Sequence, residues 1–377
     1  FTGTLSINAG TLTLASLANS GAGSNGTGAI VFNNAAVAAI LTYTGSGSGS
    51  MTGRGISLLG SGGAVTINNN GTGALVFKGS NTNSITGNTT LTLAGTFTGA
   101  DNAMAGNLTD NAGSVLAITK SGAGTWVLSG TNTYSGATTV SAGVLQFNGA
   151  AALSSATAIT LGGGTLSYRD DTAGAIDRTT NALTLTATST IDVGNNGGTT
   201  TGSVVRFGAL TQLTAGARTL TFTSANGYSV ELASLALSPG TGQTTTLSST
   251  TVNISILGNV TNGMSGFTTA QFDTLALASS TTGNSISGVI SDAAGGSFLP
   301  LAGGYTKITQ SGGGMWRLSG QNTNTGAVAV QNGALWLAGG DNRLNANGGG
   351  VTLGTGTTSG KLIIGGNVLL GERVATV

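Results

Sequence analysis

Apolar and polar positions alternate in short runs along the chain. In Thr125-Trp126-Val127-Leu128 the large apolar side chains fall on every second residue, the period of a strand that buries one face. Related segments sharpen the pattern. Met315-Trp316-Arg317-Leu318 and Ala74-Leu75-Val76-Phe77 keep the same two apolar positions, whereas the position between them is Val127, Arg317 or Val76. An arginine is acceptable there only if its side chain reaches water. Leu75, Phe77, Trp126, Leu128, Trp316 and Leu318 are therefore expected to point inward as structural core. Further runs, "AITLGGGTLSY", "NALTLTATSTIDVG", "ARTLTFTSANGYSVELASLALS", "TVNISILGNV" and "FDTLALASS", predict more short strands, with Gly, Asn and Ser as turn residues between them. No stretch carries a convincing helical period, and the density of Gly and Thr opposes helix by about 0.5–1 kcal/mol per residue.

The segments around these strands repeat. "ITKSGAGTWVLSGTNTYSGATTVSAGVLQFNG" (118–149) and "ITQSGGGMWRLSGQNTNTGAVAVQNGALWLAG" (308–339) align without gaps and are identical at about half their positions. A third copy, "INNNGTGALVFKGSNTNSITGNTTLTLAG" (67–95), aligns through its first half and is shorter across the turn that follows. A truncated copy, "FTGTLSINAGTLTL" (1–14), opens the chain, with Phe1 at the place of Tyr134. Repeats of this length indicate a solenoid, a propeller or an array. Many short strands with few hairpin signals favour a parallel β-solenoid, in which each strand pairs with its equivalent about 4.8 Å along the axis. Glycine and asparagine supply corners with positive φ. At about 20 residues per coil, residues 1–377 would form a single continuous domain of roughly 15–19 coils, an elongated rod about 70–90 Å long.

The pattern GxGxhxLSGxNTYSGxTxVxxGxL, with h apolar, is carried by "SGAGTWVLSGTNTYSGATTVSAGVLQ" and "SGGGMWRLSGQNTNTGAVAVQNGALWL". It closely resembles the autotransporter-associated β-strand repeat, also called the passenger-associated transport repeat. The four copies cover about a third of the chain. The resemblance implies an all-β, right-handed parallel β-helix, exported as the passenger of a bacterial surface autotransporter or adhesin. It transfers no catalytic residue, because the repeat is structural.

Composition removes most chemistry. There is no Cys and no His, which excludes a disulfide framework, a Cys/His zinc site, a thiol nucleophile and a Ser-His-Asp triad. Charged residues are 6% of the chain and the net charge is +1, with Lys and Arg scattered singly, so no patch is expected to neutralise nucleic-acid phosphates. No apolar run is long enough to insert in a membrane as a helix. "GAGSNG" (21–26) matches a dinucleotide fingerprint by spacing only, since no βαβ unit follows.

Three features remain as candidate chemistry. "YRDDTAGAIDRTT" (168–180) places Asp170, Asp171 and Asp177 among arginines, a weak candidate for Ca²⁺ binding and proton abstraction from an acidic polysaccharide; a solvated loop explains it more simply. Asp110 and Asp292 recur at matching places before their repeats, which suits a corner cap better than catalysis. Tyr43, Tyr134, Tyr168, Tyr228 and Tyr305 would stack on glycans if several lay exposed in a row, but Asn83 and Asn324 replace Tyr134 in the sister copies.

The resulting expectation is a protein without enzymatic activity or cofactor: an extracellular or outer-membrane-surface stalk, fibre or passenger. No polar cap is visible at either end, which predicts a continuing parent chain or head-to-tail or lateral self-association into filaments. The alternative is an adhesin for glycans, host or biofilm surfaces. A polysaccharide lyase or hydrolase built on Asp171 and Asp177 ranks third.

Overall fold

The computed structural model is a parallel β-helix. It describes residues 4–17, 28–35, 37–47, 49–51, 54–99, 102–265, 270–293, 303–339, 343–344, 349–365 and 375–376, and no helix occurs among them. Phe1 and the 21–26 glycine motif lie outside the described residues. The strands sort into three sheets of parallel neighbours, each strand hydrogen-bonded to strands of adjacent coils. Two compact units are present, Phe1–Asp171 with Asn195–Gly198, and Thr172–Gly194 with Thr199–Val377.

In the first unit, strands such as Thr89–Gly95, Leu116–Lys120, Thr138–Val140 and Ile159–Leu161 form one sheet, and Leu75–Phe77, Ala103–Met104, Thr125–Leu128, Val144–Asn148 and Thr165–Arg169 another. The long strand Ile56–Asn69 belongs to two faces: Ile56 pairs with Ile30, and Val65 with Ala39. It bends where Gly60, Gly62 and Gly63 have φ of 103°, 104° and 127°, a region closed to β-branched residues.

In-register pairing stacks like on like. Phe77, Met104, Leu128, Phe147 and Tyr168 are successive Cα partners, and all five are fully buried. Leu75 and Trp126 flank Asn102 in the neighbouring column, and both are fully buried. In the second unit Ile256, Ile286, Leu318 and Leu337 form such a column, and Trp316 pairs with Leu335 beside it. Each of these side chains contributes about 1.5–3 kcal/mol by leaving water. Between them, Arg317 points out, in ring contact with Trp336 at 5.4 Å.

Coil length departs from the expected 20 residues. Within the repeats Trp126 pairs with Leu145 and Trp316 with Leu335, 19 positions on in both cases. Elsewhere coils are longer: Ser189 pairs with Leu220 and Phe272 with Tyr305. In the Ser189 coil the stretches 195–203 and 213–217 between strands lengthen the turn, and a loop there adds length without disturbing the ladder.

Candidate functional site

The acidic cluster is dispersed by the fold. Asp170 is buried and accepts a hydrogen bond from the Tyr168 hydroxyl at 2.8 Å. Asp171 turns to a loop and accepts the backbone N–H groups of Asn196 and Gly198 at 2.9 and 3.1 Å. Asp177 is exposed and accepts both the hydroxyl and the N–H of Thr179, which hold its carboxyl below the ordinary value. Among the described residues no three acidic or other metal-ligating side chains converge on a point. Asp170, Asp171 and Asp177 each engage local polar groups.

Tyrosines do not build a stacking surface either. Tyr43, Tyr134, Tyr168 and Tyr228 are at most 1% exposed. The Tyr134 hydroxyl shares a hydrogen bond with Thr138 Oγ1 at 2.8 Å, and burial pushes its pKa up. Asn324, at the same repeat position, donates instead to the Thr306 carbonyl at 3.0 Å, and Asn83 to the Thr109 carbonyl at 2.9 Å. This repeat position is thus filled by different side chains, each making a local polar contact.

The polar residues that recur between copies hold coils together. Asp110 accepts the Leu116 N–H at 2.8 Å with one oxygen, and the Ser135 N–H and hydroxyl at 3.0 and 2.6 Å with the other. Asp292 does the same to Thr306 at 2.7 Å and to Thr325 at 2.9 and 2.5 Å. Asn81, Asn132 and Asn322 of the SGxNT-type turn each accept a backbone N–H from the coil before, those of Ile56, Leu108 and Ile290, at 2.8–2.9 Å. Asn102 and Asn284, on the coil preceding each repeat tryptophan, join two neighbours at once. Their oxygens accept from Leu75 and Ile254, and their nitrogens donate to the carbonyls of Thr125 and Met315, all at 2.8–3.0 Å.

A second set of donors closes the GxG corners. Lys120 is fully buried, and its ammonium donates to the carbonyls of Ser121, Gly122 and Ala142 at 2.7, 2.8 and 3.2 Å. Burial pulls its pKa down to about 8. Its counterpart Gln310 donates to Gly312 and Gly314, and Asn69 to Gly73, at 2.8–3.1 Å. Neutral amides and a cation serve one purpose here, donation to corner carbonyls.

Residues 118–147 and 308–337 match the passenger-associated-transport-repeat. The chain carries passenger-associated transport repeats. Each repeat supplies two strand pairs at the short coil length, the buried tryptophan and the asparagine corner. One curated relative, the Adhesin BmaC autotransporter of Brucella suis biovar 1 (strain 1330), is 33% identical over 115 residues. That match covers 29% of this chain and 3% of the relative, so the chain corresponds to a small part of that protein's length. No solved structure matches the chain.

Proposed function

We propose that the chain is a non-enzymatic segment of an autotransporter passenger, a β-helical stalk displayed at a bacterial surface. One observation carries the reading. The polar side chains repeated between copies (Asp110 and Asp292; Asn81, Asn132 and Asn322; Lys120 and Gln310) bind backbone groups of their own or adjacent coils. Side chains engaged in that way brace the ladder between coils. Display gives the test. The chain is fused upstream of a heterologous autotransporter barrel in a Gram-negative host, and intact cells are treated with protease. A protease-accessible chain that yields a resistant β-rich core, with no turnover of polyuronates or model glycosides by the purified chain, supports the stalk. Reproducible turnover that follows the protein through purification overturns it.

An adhesive role is the second reading, favoured by the name of the relative and by outward aromatic–cation pairs. Lys307 lies 3.9 Å from the Phe272 ring centroid, Tyr305 packs 5.3 Å from Phe272, and Arg317 covers Trp336. A glycan array blank for both acidic and neutral sugars counts against it.

A further inference from the structure

One outward column of the first unit is made of threonine alone. Thr66 is the Cα partner of Thr92, Thr92 of Thr119, Thr119 of Thr139 and Thr139 of Thr160, so five successive coils set the same side chain at the same place. Each of the five is half-buried, while its strand neighbours, such as Leu91 and Leu93 or Ile159 and Leu161, are fully buried. Strand alternation therefore aims these side chains away from the core. Strand propensity alone does not account for the column. In the same coils the equivalent column of the second sheet reads Val76, Ala103, Val127, Gln146 and Ser167.

The five hydroxyls are uncommitted. Among the described residues none of them bonds to a protein group. By contrast Thr138, next to Thr139 but buried, bonds both Tyr134 and Thr157. A hydroxyl brings one donor and two acceptor sites, and a β-branched side chain has few rotamers, so equivalent backbone positions favour one repeated orientation. The step between them is the spacing of paired strands, about 4.8 Å. Two residues earlier the strands carry Ala64, Thr90, Ala117, Ala137 and Ala158, so no long side chain stands on that flank. No outward position of these five strands holds a charged or aromatic residue.

We infer that this threonine ladder is an ice-binding surface, its hydroxyls anchoring together on the face of an ice crystal. The occupant follows from what the face offers. Without charge it draws no ionic ligand, and without an aromatic ring it gives a sugar nothing to stack on. Five strands at that spacing, each presenting about 16 Å of its length, make roughly 400 Å², about half of what each partner of a stable protein interface buries. A lattice of water needs neither charge nor stacking. Surface oxygens of ice repeat at nearly the strand spacing, so each hydroxyl takes the place of one lattice water while the methyl groups beside it exclude disordered water. Each contact is weak, but five held in place by the ladder act together with little left to order. The inference stands apart from the stalk and adhesive readings, since it needs neither display nor a glycan.

The full 377-residue chain is assayed for inhibition of ice recrystallisation and for its effect on the shape of single ice crystals. Faceted crystals and arrested recrystallisation are expected. Thr119→Arg lifts a long cation out of the plane and should raise the concentration needed about tenfold or more. Thr139→Ala installs the residue that the sister copy carries as Ala329, so the fold is kept, and it should weaken inhibition in the same direction. Val76→Arg is the control: it lies on the second sheet, where the sister copy carries Arg317, and should act like the parent. Matched Tm values establish that each variant is folded. The inference is overturned if the parent leaves crystals round and recrystallisation unchecked, if both ladder variants match the parent, or if Val76→Arg loses activity with them. It is also overturned if the ladder variants keep their action on ice and lose self-association in sedimentation or retention on cellulose, which would make the occupant a second copy or a neutral polysaccharide.

Discussion

Asp273 is the group whose burial has the clearest consequence. It sits in the strand Gln271–Leu277 on the inward side, 1% exposed, in the same alternation as Leu275 and Leu277. One carboxylate oxygen accepts the Gln243 N–H at 2.9 Å, and the other is buried without a hydrogen-bond partner. Desolvation outweighs that single bond and pushes the pKa from 3.8 up to about 6. A shift of that size corresponds to about 3 kcal/mol. Because the folded pKa is the higher one, the folded chain holds the proton more tightly. Stability is therefore fullest below about pH 4, is lost as pH rises to about 6, and stays reduced above that. Asp273→Asn removes the charge but buries an amide that lacks an acceptor, which costs about 1–3 kcal/mol at every pH. The stability of D273N relative to the parent should accordingly rise by about 2.5 kcal/mol between pH 4 and pH 7.5, whatever its sign at either end. Urea unfolding followed by tryptophan fluorescence measures this, since both chains share every other titrating group. An unchanged difference between the two pH values would refute the reasoning. So would a parent that gains on D273N as pH rises, since the protein would then favour the carboxylate anion.

The repeats supply internal controls for the remaining predictions. Trp126 Nε1 donates to the Ala94 carbonyl at 2.9 Å and its ring stacks on Phe77 at 6.4 Å, whereas Trp316 Nε1 has no partner. W126F should therefore destabilise more than W316F by about 1 kcal/mol, read as a larger fall in Tm, and equal falls would contradict the assignment. Asp110→Ala leaves the Leu116 and Ser135 N–H groups without their acceptor and should cost about 2 kcal/mol, with faster amide hydrogen exchange at those two residues. Gly106→Ala drives a methyl group against the Gly79 carbonyl and should cost about 1–3 kcal/mol by overpacking, seen in thermal unfolding.

Much of the architecture was readable from local pattern alone. Strand alternation is set by the two-residue period of an extended backbone, so Trp126, Leu128, Trp316 and Leu318 could be oriented by comparing copies, with Arg317 marking the wet side. The absence of His and Cys excluded whole classes of chemistry without a structure. Coil length was not readable, because a parallel ladder tolerates corner loops of varied size, and only the pairing of Ser189 with Leu220 or Phe272 with Tyr305 reveals the longer coils. The same holds for polar duties. Asn81, Asn132 and Asn322 read as ordinary turn residues, yet each serves an N–H 24–32 positions earlier in the chain. Asp170, Asp171 and Asp177 look like one cluster in sequence and are three separate local contacts in space. The sequence determined backbone periodicity and which faces are apolar, since both depend on neighbouring residues. Tertiary structure alone decided which distant backbone groups meet each polar side chain: a parallel coil brings together residues whose spacing is fixed by the loops between them.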